Sequence, residues 1–464
     1  MKLLRRLLPL LLCAALLPTL CAAAYAEGTG AFALELTVEG AGSAKVRAFH
    51  AEYEGNLYLS LADCSAALSG TGAQFRLEYS YTQDDGERFL LTTGLPAKPA
   101  AAAPEYADSH EPVNLSLQRN RLYVNGSERR YYSYRATEQD LYLSLTDLQL
   151  ILDVTVTREG ETLHVWPDQP FSPDPEELER QGFFDCFNGV LLADADTGAV
   201  LFSHTPSTAF PIASLSKLMT YLLLAEDLAS GQLAYDSAVP ISAKADALSR
   251  SADGAVRLTE GRSIPLQELV EAMLLASSNE AALALAEYAA GTEEAFVERM
   301  NERAAELGLR SARFYSPNGL PVYSGGAIPA KLQNSMSAND LFTLCRYLLS
   351  HFPEVTELTS KQYGSMPSIP FNTANSNPLV FNMEGVTGLK TGSTNRAGYC
   401  VVVTMPVVRD DESHDIVLVL LGAETPTVRG QAAEILLRWA QDQIDGQGFF
   451  QPQPPIFDQK AKTE

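Results

Sequence analysis

The stretch Pro211-Ile212-Ala213-Ser214-Leu215-Ser216-Lys217-Leu218-Met219-Thr220 decides how this chain is read. From Ser214 onward, Leu215, Leu218, Met219, Leu222 and Leu223 recur at helical spacing, and Gly231 ends the run, so a helix is predicted over Ser214 to Ala229. A serine hydroxyl is a poor nucleophile until a base takes its proton. A lysine three residues later on a helix lies on the same face, with its amine in reach of that hydroxyl. The free N–H groups and positive dipole end of a helix start also stabilise a developing oxyanion. The plain alternative is a serine N-cap followed by a solvated lysine. Against it, this is the chain's sole S-x-x-K, and only nine lysines occur from residue 27 on.

Two further segments extend the pattern. Ser277-Ser278-Asn279 falls in the break between predicted helices over Pro265 to Leu275 and Glu280 to Ala290. Ser277 with Glu280 fits a capping box, whereas a functional reading has the serine relaying a proton and the asparagine holding a substrate amide. Lys390-Thr391-Gly392 ends a predicted strand, Val386 to Lys390, and is followed by Ser393. There a glycine opens the strand edge to a substrate backbone, a threonine hydroxyl binds a carboxylate and a lysine supplies positive charge.

S-x-x-K, S-x-N and K-T-G in this order resemble the signature of penicillin-recognising serine enzymes. Around them, Met300-Asn301, Leu307-Gly308, Asn318-Gly319-Leu320 and Gly388 to Thr394 with Ala397-Gly398-Tyr399 resemble the serine-type D-alanyl-D-alanine carboxypeptidases. These are the low-molecular-weight penicillin-binding proteins of peptidase family S11, and the resemblance covers about residues 185 to 443. It implies an α/β fold of the β-lactamase/D,D-peptidase type, an antiparallel sheet flanked by helices. Ser214 becomes the acylated nucleophile, Lys217 its base, and Ser277 and Asn279 the relay and substrate pair. Lys390, Thr391, Gly392 and Ser393 bind peptide and carboxylate, the N–H groups of Ser214 and Ser393 form the oxyanion hole, and Arg429 receives the terminal carboxylate. Burial and Lys390 are expected to lower the Lys217 pKa. Ser278 stands where the family more often has Gly or Ala, and Glu280 where it often has Asp.

The implied function is removal of the terminal D-alanine from peptidoglycan stem peptides, with β-lactams as covalent inhibitors and no cofactor or metal. The alternatives are a D,D-endopeptidase on crosslinks and a non-catalytic sensor of β-lactam or peptidoglycan. A class A β-lactamase lacks support because no E-x-x-L-N lies between Asn279 and Lys390, and Ser-His-Asp hydrolysis because there is no G-x-S-x-G.

Outside the catalytic region, Leu57-Tyr58-Leu59-Ser60-Leu61-Ala62-Asp63 is echoed by Leu141-Tyr142-Leu143-Ser144-Leu145-Thr146-Asp147. Each alternating stretch leads into a helical segment and then further strand pattern, which reads as a duplicated α+β unit with copies near 31–93 and 113–166. It resembles the stalk, or copper amine oxidase-like N-terminal, domain, and implies a spacer or wall contact. No copper is implied, because His50, His110, His164, His204, His351 and His414 lack ligand spacing.

The predicted organisation is a signal peptide over 1–26, cleaved near Ala26; the duplicated domain over 27–166; a Pro-rich linker over 167–177; the catalytic domain over 178–444; and a flexible tail over 445–464. A basic start, a short apolar run and Ala24-Tyr25-Ala26 support export to the cell envelope. Cys64, Cys186, Cys345 and Cys400 are too few and scattered for a disulfide framework, which leaves one bridge or buried free thiols. With 34 basic against 57 acidic residues the net charge is −23, which disfavours nucleic acid as a partner.

Overall fold

A computed structural model describes residues 32–51, 56–82, 86–98, 117–119, 121–137, 140–323 and 331–449. The predicted signal peptide over 1–26 and the predicted tail beyond Phe449 lie outside these residues. The chain forms two compact units: one up to Asp185 that also takes in Pro426–Ile435, and one from Cys186 to Thr425 with the chain from Leu436 on.

In the first unit, the two echoing stretches become strands β1 (Leu57–Ser60) and β2 (Asp140–Ser144). They are neighbours in an eight-stranded sheet and pair antiparallel, with Leu59 opposite Leu143, Tyr58 opposite Ser144 and Ser60 opposite Tyr142. The strand period of two sends Leu59 and Leu143 into one core and Tyr58 and Tyr142 into an aromatic cluster with Phe49. Each strand turns directly into a helix, α1 (Leu61–Ala67) or α2 (Leu145–Leu152). The serine is the N-cap both times: Ser60 Oγ accepts from Asp63 N at 3.2 Å and Ser144 Oγ from Asp147 N at 3.0 Å. After the helices the two stretches part. Phe75–Thr82 enters a separate four-stranded sheet, while Thr155–Glu159 joins the eight-stranded one.

The acidic residue of each turn also finds a different partner. Asp63 takes both Nε and Nη2 of Arg47, at 2.8 and 2.9 Å. Asp147 Oδ1 and Ser144 Oγ instead accept from Gln431 Nε2, at 3.1 and 2.8 Å.

The second unit is built on five antiparallel strands: β3 (Gly189–Asp194), β4 (Val200–His204), β5 (Gly388–Thr394), β6 (Gly398–Arg409) and β7 (Glu412–Ala423). Their order is β4-β3-β7-β6-β5, so the strands expected to open and close this domain do pair, with Leu191 opposite Val419. The main helices are α3 (Lys217–Ala229), α4 (Leu266–Leu275), α5 (Asn279–Ala290), α6 (Glu293–Glu306), α7 (Ala338–His351) and, from Leu436 on, the second half of α8 (Pro426–Gln447). Helix α8 runs three residues past the expected end at Ile444, into the predicted tail.

Ten of the thirteen residues of α3 are buried, including Leu218, Met219, Leu222 and Leu223, so this helix forms the centre of the second unit's core rather than one amphipathic flank. The K-T-G segment differs from its predicted position at a strand end. Strand β5 continues to Thr394 and carries Lys390–Gly392 in its middle, along the sheet's edge. The four described cysteines are free. Pairing of β3 with β7 also brings His414 Nδ1 to 2.7 Å from Asp194 Oδ2, with Asp196 close by, a grouping that the sequence spacing did not reveal. Among the described residues no helix is long and apolar enough to cross a membrane.

Candidate active site

The expected helix does not begin as an α-helix at Ser214. Ala213–Ser216 forms a 3-10 turn, and α3 starts at Lys217. Ala213, at φ 47°, lies in the left-handed region that a residue with a Cβ seldom enters. Two glycines explain how the turn is held. A Cβ on Gly319 would lie 2.0 Å from the Ala213 carbonyl oxygen, and one on Gly392 would lie 2.9 Å from Ser214 N and 3.0 Å from Ile212 O. The glycine of K-T-G therefore lets strand β5 lie against the backbone of the Ser214 turn. That is a tighter requirement than opening the edge to substrate.

The plain reading of S-x-x-K fails on geometry. Ser214 is not an N-cap, and Lys217 is 0% exposed. Lys217 Nζ lies 2.8 Å from Ser214 Oγ, 2.7 Å from Asn279 Oδ1 and 2.8 Å from the Asn318 carbonyl oxygen. The last two partners are acceptors only. A neutral amine has two hydrogens, which these two oxygens take, and one lone pair, which is left facing the serine hydroxyl. Burial, and after it the positive charge of Lys390, holds the Lys217 pKa well below the usual lysine value, while Glu280 acts in the opposite direction.

At the break between α4 and α5, Ser278 rather than Ser277 is the cap, its Oγ accepting from Ala281 N at 3.0 Å. The predicted capping box is therefore not formed: the cap falls one residue later, and Glu280 accepts instead from the Ala255 and Val256 N–H groups. Ser277 stands outside the helix at φ 60°, half-buried, with its hydroxyl not committed to the cap. Asn279, the first residue of α5, accepts from Lys217 and donates through Nδ2 to the Asp253 carbonyl at 2.8 Å.

The loop Ser316-Pro317-Asn318-Gly319-Leu320 had no role assigned from sequence, and it closes the lysine pocket from below. Asn334 anchors it, with Oδ1 accepting from Tyr315 N at 2.7 Å and Nδ2 donating to Ser316 O at 2.7 Å. Thr220 Oγ1 donates to Pro317 O at 2.6 Å, joining the loop to α3. Ser376 was also missed: its Oγ lies 3.0 Å from Thr391 Oγ1, and its N–H donates to the Leu275 carbonyl at the end of α4. Lys390 and Thr391 are 1% and 7% exposed, and Ser393 is exposed at the strand edge. Arg429, 4% exposed, lies in the first turn of α8, in the segment that groups with the first unit.

One sequence separated into three motifs thus converges on a single serine and a single buried amine. The sequence pattern that defines the D-alanyl-D-alanine carboxypeptidases of peptidase family S11 matches residues 188–425. The chain belongs to this family. It is 28% identical over 276 residues, 59% of this chain and 67% of the relative, to D-alanyl-D-alanine carboxypeptidase DacF of Bacillus subtilis. It is 31% identical over 258 residues, 54% of this chain and 76% of the relative, to a D-alanyl-D-alanine endopeptidase of Pseudomonas aeruginosa. The chain therefore spans about two thirds to three quarters of the length of these relatives. Among solved structures, a peptidoglycan synthesis regulatory factor (PBP3) of Streptococcus pneumoniae aligns with a TM-score of 0.50 at 29% identity, over 55% of this chain and 73% of that one. The S11 chain is thus a serine-type peptidase of the low-molecular-weight penicillin-binding class, with the mixed α/β fold expected for it.

Proposed function

We propose that this S11 protein removes the terminal D-alanine from peptidoglycan stem peptides through an acyl-enzyme on Ser214. The observation that carries the proposal is the environment of Lys217 Nζ, whose two acceptor-only neighbours leave its lone pair for the Ser214 hydroxyl. In acylation Ser214 Oγ attacks the carbonyl carbon of the penultimate residue while its proton passes to Lys217. The N–H groups of Ser214 and Ser393 donate to the developing oxyanion. The C–N bond then breaks, and the proton travels from Lys217 by way of Ser277 to the leaving amine. Water, deprotonated by the same lysine, cleaves the ester and restores Ser214.

Asn279 holds the substrate amide, and Lys390, Thr391 and Arg429 draw in its terminal carboxylate, the guanidinium through two parallel bonds. Gly392 keeps strand β5 close enough for its edge to pair with the peptide. β-Lactams acylate Ser214 by the same attack, and the slow step becomes loss of the acyl group. The chain acts in the cell envelope after removal of residues 1–26, and the N-terminal unit serves as a spacer or wall contact. A second reading, cleavage of D,D-crosslinks, is favoured by the 31% identity to an endopeptidase.

The test is incubation of the mature protein and of Ser214→Ala with a pentapeptide ending in D-Ala-D-Ala, with crosslinked muropeptides and with labelled penicillin. Release of one alanine together with labelling, both lost in the variant, is expected. Cleavage confined to crosslinks would favour the endopeptidase reading. Labelling without any release would leave a sensor, and an unlabelled protein would end the assignment.

A further inference from the structure

Glu280 is a buried carboxylate to which the proposed reaction gives no task. It follows Asn279 in the first turn of α5 and is 0% exposed. Its Oε1 accepts the backbone N–H of Ala255 at 3.0 Å and that of Val256, while its Oε2 is buried with no hydrogen-bond partner. An ionised carboxylate in such a setting costs free energy unless other charges and dipoles offset the loss of water. Two amides and the positive end of α5 do so in part. The ammonium that Lys217 becomes on taking a proton interacts favourably with this carboxylate, which acts to raise the lysine's proton affinity.

We propose that Glu280 is a positioning residue that sets the proton affinity of Lys217, acting through its buried negative charge. The idea rests on the reading of Lys217 as the base. During acylation the lysine must hold the Ser214 proton after the attack and give it up to the leaving amine. Burial and Lys390 both oppose holding it, and Glu280 is the group that favours it. Asn279 and Glu280 also grip one loop with adjacent side chains, at Asp253 O and at the Ala255 and Val256 amides. The charge is therefore fixed relative to the amide oxygen that touches Nζ.

On the loop that Glu280 holds, Asp253 and Arg257 are exposed, and charged groups of the neighbouring helices have partners of their own. On α6, Arg299 and Arg303 pair with Asp227 and Glu226 at the far end of α3. On α4, Glu268 is bonded to Ser368, and Glu271 to Lys361 and Ser365. Asp340 of α7 is bonded to Ser311, and its Arg346 donates to the Asp196 carbonyl. The helix Ala243–Ser249, packed on α5, carries Lys244 paired with Glu293 and Asp246 paired with Arg250. Glu287 of α5 accepts from Ser242.

The experiment is the rate of acylation by labelled penicillin as a function of pH, for the full chain, Glu280→Gln and Glu280→Asp, with a thermal midpoint for each. Removing the charge makes the lysine easier to deprotonate, so in Glu280→Gln the acid limb should move to lower pH by about 1–3 units. Glu280→Asp keeps the charge on a shorter arm, so its limb should stay within about 0.5 unit of the wild type while its midpoint falls. An unmoved limb in Glu280→Gln overturns the proposal and leaves Glu280 as a loop tie. A limb in Glu280→Asp displaced as far as that expected for the neutral variant also overturns it, and decides the matter alone if Glu280→Gln does not fold. A wild type without any acid limb would instead remove Lys217 as base, a failure of the proposed function itself.

Discussion

Three turns in this chain share the spacing Ser-Leu-x-(charged): Ser60 to Asp63, Ser144 to Asp147 and Ser214 to Lys217. In the N-terminal unit the serine is extended, at φ −61° and ψ 119° for Ser60 and φ −63° and ψ 148° for Ser144, and its hydroxyl is consumed as a helix cap. In the catalytic unit the serine is already inside a 3-10 turn behind the left-handed Ala213, so no backbone N–H claims its Oγ. The charged residue differs in the same way. Asp63 meets Arg47 at the edge of solvent, whereas Lys217 is enclosed by two oxygens and another cation. The same Ser-Leu spacing thus yields a structural cap or an uncapped hydroxyl beside a buried amine, according to the conformation of the turn.

The sharpest way to break this comparison is to delete each hydroxyl. Ser214→Ala should abolish penicillin labelling and D-alanine release while leaving the thermal midpoint near the wild type, because no cap is lost. Ser60→Ala and Ser144→Ala should leave kcat/KM unchanged. Lys217→Ala should lower the acylation rate by about 10²–10⁴-fold, the range for a positioned general base. In the wild type, that base is active only when neutral. The acylation rate should therefore fall as pH drops through the Lys217 pKa, with this limb well below the pH at which an ordinary lysine titrates.

The conformational half of the comparison is tested at Gly319. At φ 85°, and with a Cβ that would fall 2.0 Å from Ala213 O, Gly319→Ala should destabilise the protein by about 4 kcal/mol or more in denaturant unfolding. A small effect there would mean that the strained turn can relax. The least effects should come from the caps. Ser60→Ala, Ser144→Ala and Ser278→Ala should each cost about 1 kcal/mol. For Ser278→Ala, unchanged kinetics would separate the cap from the neighbouring Ser277, and a loss of activity would merge them.

Much of the catalytic unit was legible from its sequence. Apolar periodicity located α3 and the helices on either side of Ser277, because that signal records burial that the residues themselves require. The roles of Asn318 and Gly392 were not legible in this way. A backbone carbonyl that accepts from Lys217 leaves no mark on residue identity, and the need for glycine at 392 comes from a chain segment more than 170 positions earlier. The one-residue displacement of the cap from Ser277 to Ser278 escaped because both are serines and only the φ of 60° at Ser277 distinguishes them. In the N-terminal unit the matching strand–helix turns were visible. The departure of Phe75–Thr82 to a second sheet was not, since alternation reports a half-buried strand without naming its partner.

By itself the sequence determined that a serine and a lysine share one helical face and that two other motifs complete a family signature. Spacing along a helical turn is a local property, and in the 3-10 turn that holds Ser214 residues three apart fall on one side. Only the tertiary structure decided the environment on which the proposal of the lysine as base rests. The lysine's loss of water, its two acceptor partners 62 and 101 residues away, and the opposed charges of Lys390 and Glu280 arise from segments that meet only when the domain closes. Proton affinity follows from that environment, and the spacing carries no information about it.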